Sequence, residues 1–235
     1  MVSDPGGVIV TGGTGALGRT VVLHLVGRGT RVVVPWRRVE PFRALESDAG
    51  PEAPLFGLEA DLARADGART FVDEAVRWLG TLDGVALIAG GWAGGTRFED
   101  APEDEWERML ASNLTTVRHV CRAALPHLLD GGGSVVTVGS RAAETAGAGM
   151  AAYAVSKSAV HAFTRVLASE NRDRGVRFNC VLPGTIDTPA NREAMPDADR
   201  SGWTSPAAVA RVMAFLLSSE SAPVTGALLP VDGPA

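Results

Sequence analysis

Residues 8–18 read Val-Ile-Val-Thr-Gly-Gly-Thr-Gly-Ala-Leu-Gly, and this stretch decides the fold. Its β-branched start predicts a short buried strand, its glycines predict a tight turn, and a helix-like pattern follows over 15–28. Glycines in such a turn let the backbone approach a pyrophosphate, while the free amides of the helix N-terminus face the phosphates. We therefore predict a dinucleotide-binding turn here rather than an ordinary glycine-rich connection. The residues expected to contact the cofactor are Gly12, Thr14, Gly15, Ala16, Leu17 and Gly18.

Beyond this turn, strand-like and helix-like segments alternate along the whole chain. The predicted strands are 8–11, 31–34, 55–60, 85–89, 134–138, 177–182 and 227–231. The predicted helices are 15–28, 39–47, 64–79, 101–129, 150–173 and 205–218. Such alternation is typical of βαβ units. We expect an α/β fold of one domain over 1–235: a doubly wound, Rossmann-like parallel sheet of about seven strands, with helices on both faces in three layers.

Composition narrows the class of protein. The 235 residues carry 22 basic and 27 acidic side chains, a formal charge of −5, so we expect neither a nucleic-acid partner nor an anionic membrane surface. The two cysteines, Cys121 and Cys180, and the four histidines lack metal-site spacing, so no metal is predicted. We expect buried, reduced thiols in a cytoplasmic protein, and residues 1–7 lack the pattern of a signal peptide.

The end of the second predicted strand bears on the choice of cofactor. NAD-binding folds place an acidic residue near this strand end, where it holds the ribose hydroxyls. Here Trp36, Arg37 and Arg38 follow the strand instead. Two guanidinium groups suit a 2′-phosphate, which favours NADP(H), although two solvated surface arginines are the alternative.

The ends of the third and fourth strands add further candidates. Asp61 and Leu62 follow the third strand, where the carboxylate could accept from an adenine amino group or cap the next helix. A glycine-rich loop follows the fourth strand, at the edge where open α/β sheets bind ligands. Trp92 in this loop could cover a flat substrate or pack against the loop itself. The cofactor contacts expected from this loop are Ala89, Gly90 and Gly91.

A pair of side chains on the predicted helix 150–173 points to proton chemistry. Tyr153 is the only tyrosine, Lys157 is the only lysine, and their i,i+4 spacing places both on one face. A nearby ammonium lowers the pKa of a phenol, which otherwise is too high for acid/base work near neutral pH. Ser140, at the end of the fifth strand, could orient a carbonyl oxygen beside the phenol.

The predicted helix 101–129 carries a second polar candidate and a possible interface. Asp100 is expected to cap its start. Asn113 lies beside its apolar stripe, and from sequence alone a structural hydrogen-bonding role is favoured there. Together with the alanine-rich helix 150–173, this helix predicts a homo-oligomer, a tetramer or a dimer.

Taken together, these residues resemble the short-chain dehydrogenase/reductase family over essentially the whole chain. The resemblance rests on residues 11–18, Asp61-Leu62, Ala89-Gly90, Asn113, Ser140, Tyr153, Lys157, Asn179, Pro183-Gly184 and Asp232-Gly233. It implies Tyr153 as general acid/base and Lys157 as the group that lowers its pKa and binds the nicotinamide ribose. It also implies that Ser140 holds the substrate oxygen and that Asn113 holds a relay water.

The resemblance extends to the cofactor, with three departures. It implies nicotinamide contacts from Pro183, Gly184, Ile186 and Thr188 and a 2′-phosphate contact from Arg37. However, Ala16 stands where the family's glycine spacing places glycine. Position 15 lacks the basic residue of many NADP-dependent members, and Leu87-Ile88 replaces a usual Asn-Asn pair.

A narrower likeness is to the quinonoid dihydropteridine reductases, in segments 89–95 and 187–204. Those enzymes prefer NADH and lack the active-site serine, whereas this chain has Ser140 and Arg37. The expected function is therefore NADP(H)-dependent hydride transfer between nicotinamide and a carbonyl or secondary alcohol, with a short substrate loop near 185–204. The alternatives are reduction of a pterin or another C=N substrate, and a non-catalytic NADP-binding scaffold.

Overall fold

A computed structural model describes residues 4–234, and one seven-stranded sheet runs through them. All strands are parallel, in the order β3-β2-β1-β4-β5-β6-β7. The strands are β1 Gly7–Thr11, β2 Arg31–Trp36, β3 Leu55–Glu59, β4 Gly84–Leu87, β5 Gly133–Val138, β6 Val176–Pro183 and β7 Leu228–Val231. The order reverses between β1 and β4, which is the switch point where such sheets bind ligands.

Helices cover both faces of this sheet and connect its strands. They are α1 Ala16–Val26, α2 Val39–Ala49, α3 Ala65–Leu79, α4 Asp104–Leu110, α5 Thr116–Leu129, α6 Ala142–Thr145, α7 Ala151–Asn171, α8 Pro189–Ala194 and α9 Pro206–Leu217. The predicted doubly wound α/β fold is confirmed. Its all-parallel sheet follows from the helical crossovers, which return the chain to the same edge before each new strand.

Two hydrophobic cores lie on opposite sides of the sheet. On one side α1 packs on β1 and β2 and α9 packs on β4, β5 and β6, and Val21 and Met213 are fully buried. On the other side α3 packs on β1, β2 and β3 and α5 packs on β4 and β5. Because β1 and β2 contribute to both cores, their residues are apolar in succession rather than in alternation, as expected for a strand buried on both faces.

The structure corrects several details of the sequence prediction. The helix predicted over 101–129 is divided: α4 and α5 are joined by a π-helical turn at Ala111–Thr115. Asp100 does not cap it, because this residue ends a separate 3₁₀ turn and the helix begins at Asp104. Strand β5 stops at Val138, so Ser140 lies two residues beyond it. The short helices α6 and α8 were not predicted.

No helix within residues 4–234 is both long enough and apolar enough to span a bilayer. The longest, α7, has 21 residues and carries Lys157, His161 and Arg165 along its length.

Candidate cofactor and active site

The glycine-rich turn after β1 is shaped by close backbone contacts. Gly12 has a φ of +67°, in the left-handed region that favours glycine. A Cβ on Gly18 would lie 2.0 Å from the Gly12 carbonyl oxygen, and one on Gly13 would lie 2.8 Å from the Val34 methyl groups. These contacts bring α1 directly against the turn. A side chain at either position would push the helix N-terminus away.

The residues at the start of α1 explain the departure at position 16. Ala16 is the first residue of α1, and it is exposed, as is Gly15 before it. A Cβ on Gly15 would come no closer than 3.4 Å to its neighbours. Since the Ala16 side chain points away from the packed turn, an alanine there leaves the cradle open. The first amides of α1, which lack intrahelical acceptors, open into the neighbouring cleft.

This cleft has a volume of about 850 Å³ and runs across the switch point of the sheet. It brings together thirteen of the predicted cofactor residues: Gly12, Thr14, Gly15, Ala16, Leu17, Gly18, Trp36, Arg37, Asp61, Leu62, Ala89, Gly90 and Gly91. An elongated cleft over a glycine cradle and a helix N-terminus fits a dinucleotide. Within residues 4–234, Arg38 does not line it. This exposed residue instead precedes the first turn of α2.

Sequence reasoning missed part of the cleft wall. It is contributed by α4 and the π-helical turn, through Arg108, Met109, Ala111, Ser112 and Thr116. These positions follow the helical spacing of the apolar stripe, and nothing in their residue types indicates a binding site. Only the packing of this helix beside β4 brings them to the cleft.

Thr11 supplies the bracing that the missing Asn-Asn pair would give. Its hydroxyl oxygen accepts from the amides of Ile88 and Ala89, at 3.1 and 3.2 Å. Thr11 ends β1, and its side chain is buried. The start of the loop after β4 is therefore fixed from the neighbouring strand.

Asp61 lines the cleft but does not have the predicted capping role. Its carboxylate accepts from the Ala63 amide at 3.0 Å, which closes a turn ahead of α3. It does not cap α3 itself, because that helix begins at Ala65 behind Arg64. This exposed residue lines the cleft beside Leu62.

Asn113 is buried in the π-helical turn and fully hydrogen-bonded. Its Nδ2 donates to the Gly91 carbonyl at 3.1 Å and to Ser156 Oγ at 2.9 Å, and its Oδ1 accepts from the Gly91 amide at 2.8 Å. The Ser156 hydroxyl in turn donates to the Tyr153 carbonyl at 2.7 Å. The side chain thus connects the loop after β4 to α7.

Among the described residues, the predicted catalytic side chains of Ser140, Tyr153 and Lys157 do not line this cleft, and Lys157 Nζ lies behind Gly90 of its wall, 3.4 Å from where a Cβ on that glycine would stand. A hydrogen bond from the Ser140 hydroxyl to the phenol lowers the pKa of Tyr153, but burial has the larger effect and raises it above its usual value. Lys157 is not among the causes of this shift, so the lowering of the phenol pKa by its ammonium stays a prediction. The Lys157 ammonium donates to the Val138 carbonyl at 2.8 Å instead.

The environment of Lys157 is unusual for a lysine. Its side chain is only 6% exposed, and burial lowers its pKa to about 8. A Cβ on Gly90 would lie 2.5 Å from Asn113 Oδ1 and 3.4 Å from Lys157 Nζ. The absence of a side chain at Gly90 therefore leaves both polar groups accessible from the same point of the cleft.

His161 is a site neighbour that sequence reasoning did not assign. It lies one turn after Lys157 on the same face of α7, and its side chain is buried. Its Nε2 accepts from the Ser140 amide at 3.3 Å. A Cβ on Gly139 would lie 2.3 Å from Nε2 and 2.6 Å from Cδ2, so this edge of the ring lies directly against the Gly139 backbone. The i,i+4 spacing from Lys157 was the available signal.

The segment after β6 is folded back on itself rather than open. Thr188 caps α8 by accepting from the Asn191 amide at 3.2 Å, and Asn191 Nδ2 donates to the Ile186 carbonyl at 2.8 Å. Ile186 also forms an isolated bridge with Thr204. Residues Pro183, Gly184, Ile186 and Thr188 do not line the 850 Å³ cleft. They follow the carboxyl end of β6, beside the loop that carries Ser140.

The loop after β4 ends against the start of α7. Gly95 donates to the Gly149 carbonyl at 2.7 Å, two residues before α7. Trp92 in this loop is 62% exposed, and its ring edge lies near Gly94. The exposed indole therefore belongs to a loop that is fixed at Gly91 by Asn113 and at Gly95 by the backbone just before α7, the helix that carries Tyr153.

Comparison with known proteins gives a consistent assignment. The family model for short chain dehydrogenase matches residues 7–199. The chain is 30% identical to the short-chain dehydrogenase/reductase ABA4 of Pyricularia oryzae, over 95% of this chain and 89% of that protein. It is 31% identical to carbonyl reductase family member 4 of Danio rerio, over 96% and 95%. A solved short-chain type dehydrogenase/reductase from Mycobacterium ulcerans superposes with a TM-score of 0.92 at 26% identity, covering 98% of this chain and 90% of that one.

Proposed function

The chain belongs to the short-chain dehydrogenase/reductase family, and we propose that it is an NADP(H)-dependent oxidoreductase acting on a carbonyl or secondary alcohol. The observation that carries this proposal is the position of Lys157 Nζ directly behind Gly90 of the cleft wall, with Tyr153 one turn earlier on α7 and the Ser140 side chain interacting with its phenol. A proton donor, a second hydroxyl and a buried cation at one point suit the reduction of a polarised double bond.

The nicotinamide supplies the hydride in this chemistry. Tyr153 donates the proton to the substrate oxygen in the direction of reduction. Because burial raises its pKa, the phenol is protonated at neutral pH and is ready to act as an acid. The Ser140 hydroxyl holds the same oxygen and stabilises the negative charge that develops there.

Lys157 stabilises the phenolate that remains after proton transfer. With a pKa of about 8, its amine is mostly charged at pH 7 and can lose a proton just above it. We assign it two tasks: the positive charge favours ionised Tyr153, and the ammonium binds the nicotinamide ribose. Asn113 fixes the backbone of Gly91 and is assigned the relay water that the family resemblance implies.

The preference for NADP(H) rests on the end of β2. Arg37 is exposed and lines the cleft, and Trp36 occupies the strand end where an acidic residue would select NAD. An exposed guanidinium offers charge-assisted bidentate bonds to a phosphate, whereas the hydroxyl protons of an unphosphorylated ribose need an acceptor, which arginine lacks. The name of the zebrafish relative, a carbonyl reductase, agrees with the proposed substrate class.

Trp92 supports a second candidate, reduction of a pterin-like C=N substrate. An indole that is 62% exposed beside the site offers a flat apolar face to a planar heterocycle. The carbonyl proposal ranks first because Ser140 is hydrogen-bonded to Tyr153, where it can hold a carbonyl oxygen.

One assay set separates these functions. Purified protein is mixed with NADPH or NADH and with ethyl acetoacetate, acetophenone, 9,10-phenanthrenequinone or quinonoid dihydropterin, and loss of reduced cofactor is followed by absorbance. We expect NADPH oxidation with at least one carbonyl compound and a loss of ~10²–10⁴-fold in Tyr153→Phe. Turnover of the pterin alone would favour the second candidate. Cofactor binding without turnover would favour the scaffold, and full activity in Tyr153→Phe would refute the catalytic role of Tyr153.

We also propose a cytoplasmic homo-oligomer. Both Cys121 and Cys180 are buried and unpaired, as suits a reducing compartment. Val155 and Val166 stand 48% and 53% exposed on the outer face of α7. Apolar side chains at this exposure support an interface on the helices at 101–129 and 150–173.

A further inference from the structure

The backbone that carries Ser140 is held from one side by β6 and from the other by His161. The Gly139 amide donates to the Val181 carbonyl at 2.9 Å, and the Arg141 amide donates to the Pro183 carbonyl at 3.1 Å. The amide of Ser140, between these two, takes no part in this pairing with β6. A buried amide requires an acceptor, and the His161 ring provides it.

This contact defines the protonation state of the ring. Nε2 accepts a hydrogen bond only when it carries no proton, so His161 is neutral with its proton on Nδ1. Protonation would place two donors face to face, the ring N–H and the Ser140 amide. The ring cannot move aside, because Gly139 lies directly against it and α7 holds its Cα.

The orientation of Ser140 depends on this backbone. Its Oγ accepts from the Ala142 amide at 3.1 Å, and its side chain interacts with the Tyr153 phenol in the sense that lowers the phenol pKa. A shift of the Ser140 amide would change both contacts. His161 therefore acts on the phenol through Ser140, without touching the phenol itself.

We infer that His161 is a positioning residue whose neutral ring holds Ser140 against Tyr153 and whose protonation releases this hold in acid. The inference rests on the proposed function, in which Ser140 and Tyr153 share the substrate oxygen. It makes His161 the group that turns the enzyme off as pH falls.

The charges around the ring agree with a neutral resting state. Burial lowers the pKa of His161 most, and Lys157 and Arg165 on the same helix lower it further, while Glu144 on α6 raises it. Together these effects lower the pKa of His161 from its usual value of 6.5. The hold on Ser140 is therefore present at neutral pH and is lost only as the pH falls below about 6.5.

The single tyrosine provides a test that needs no substrate. Tyr153 ionisation is followed by ultraviolet absorbance in the wild type, Ser140→Ala, His161→Leu, His161→Gln and the Ser140→Ala/His161→Leu double variant. Ser140→Ala should raise the phenol pKa by about one pH unit, because a hydrogen bond to the phenolate is lost. His161→Leu should also raise it, and the double variant should match Ser140→Ala alone. His161→Gln keeps a neutral acceptor and should stay near the wild type.

Nitrogen-15 NMR of the imidazole rings tests the tautomer directly. The His161 resonances, assigned by their disappearance in His161→Gln, should show a proton on Nδ1 near neutral pH. An Nε2-protonated ring would overturn the inference. So would an unchanged phenol titration in His161→Leu, or a double variant whose shift equals the sum of the two single shifts.

The pH profile of kcat/KM, with the best carbonyl substrate of the panel, gives the functional readout. The wild type should lose about tenfold per pH unit below the His161 pKa, and His161→Gln should lack this fall. His24→Gln is the matched control, because the pKa of His24 is also lowered by burial while the residue lies on α1, outside the cleft. An identical acid limb in His161→Gln would refute the switch. Full activity of Tyr153→Phe would instead refute the proposed function and leave the tautomer result standing.

Discussion

Lys157 offers a prediction in which function and stability oppose each other. Its ammonium is buried beside the Val138 carbonyl, and its pKa falls from 10.5 to about 8. A change of this size corresponds to about 3 kcal/mol, since each pKa unit is about 1.4 kcal/mol. This is the cost of keeping the charge buried at pH 7, where both the folded and the unfolded chain carry it.

Replacement by methionine removes the charge and keeps the length of the side chain. Lys157→Met should gain about 3 kcal/mol from the lost charge and lose about 1 kcal/mol with the bond to Val138. We expect the variant to be about 2 kcal/mol more stable than the wild type at pH 7, yet unable to bind the nicotinamide ribose normally.

The sign of the pH dependence follows from the lowered pKa. Between pH 8 and 10.5 the unfolded chain holds the proton on Lys157 and the folded chain releases it, so wild-type stability rises with pH in this window relative to the variant. The advantage of Lys157→Met should therefore disappear by about pH 10.

Urea unfolding followed by tryptophan fluorescence, at pH 7 and pH 10, measures the difference. Arg69→Met, which removes an exposed cation from α3, is the matched control and should show no pH-dependent difference from the wild type. A Lys157→Met protein that is less stable than the wild type at pH 7, or whose advantage persists unchanged at pH 10, would refute the argument from burial.

Three further predictions follow from the site and the surface. Arg37→Ala should raise the Michaelis constant for NADPH at least tenfold more than the Michaelis constant for NADH, because a bidentate phosphate contact is worth about 2 kcal/mol. Equal effects on both constants would refute the role of Arg37 in binding the 2′-phosphate. Gly18→Ala should destabilise the protein by about 1–3 kcal/mol in thermal unfolding, since its Cβ would meet the Gly12 carbonyl at 2.0 Å, whereas Gly15→Ala, with 3.4 Å available, should stay near the wild type. Light scattering should return a dimer or tetramer, and Val166→Asp should lower that mass; a wild-type monomer at micromolar concentration would contradict the interface.

The strand pattern was readable from the sequence because local physics dictates it. Apolar runs such as 8–11 and 177–182 can be satisfied only inside a sheet covered on both faces, and the helical segments between them require parallel crossovers. Element ends were less certain. Strand β5 ends before Ser140, and the helix predicted to follow Asp100 begins only at Asp104. Both differences arise because neighbouring elements decide where a hydrogen-bond ladder stops.

The candidate site was readable only in part. Tyr153 and Lys157 could be predicted because each is the only residue of its type and the two are at helical spacing. The glycine-rich turn could be predicted because it follows the first strand directly. The partners of Asn113 come from a loop and from α7, so no local pattern could name them. Nothing in the sequence distinguished His161 from the other histidines on predicted helices.

The sequence by itself determined the order of strands and helices, the glycine cradle and the residue types available for proton transfer, because these depend on neighbours within one or two turns. Only the tertiary structure decided the protonation of those groups. Burial sets the pKa of Lys157 and of Tyr153, and burial depends on which elements close over a side chain from far along the chain. For the same reason the Ser140 amide found its acceptor on α7, 21 residues away, where only the packing of that helix against β6 could place it.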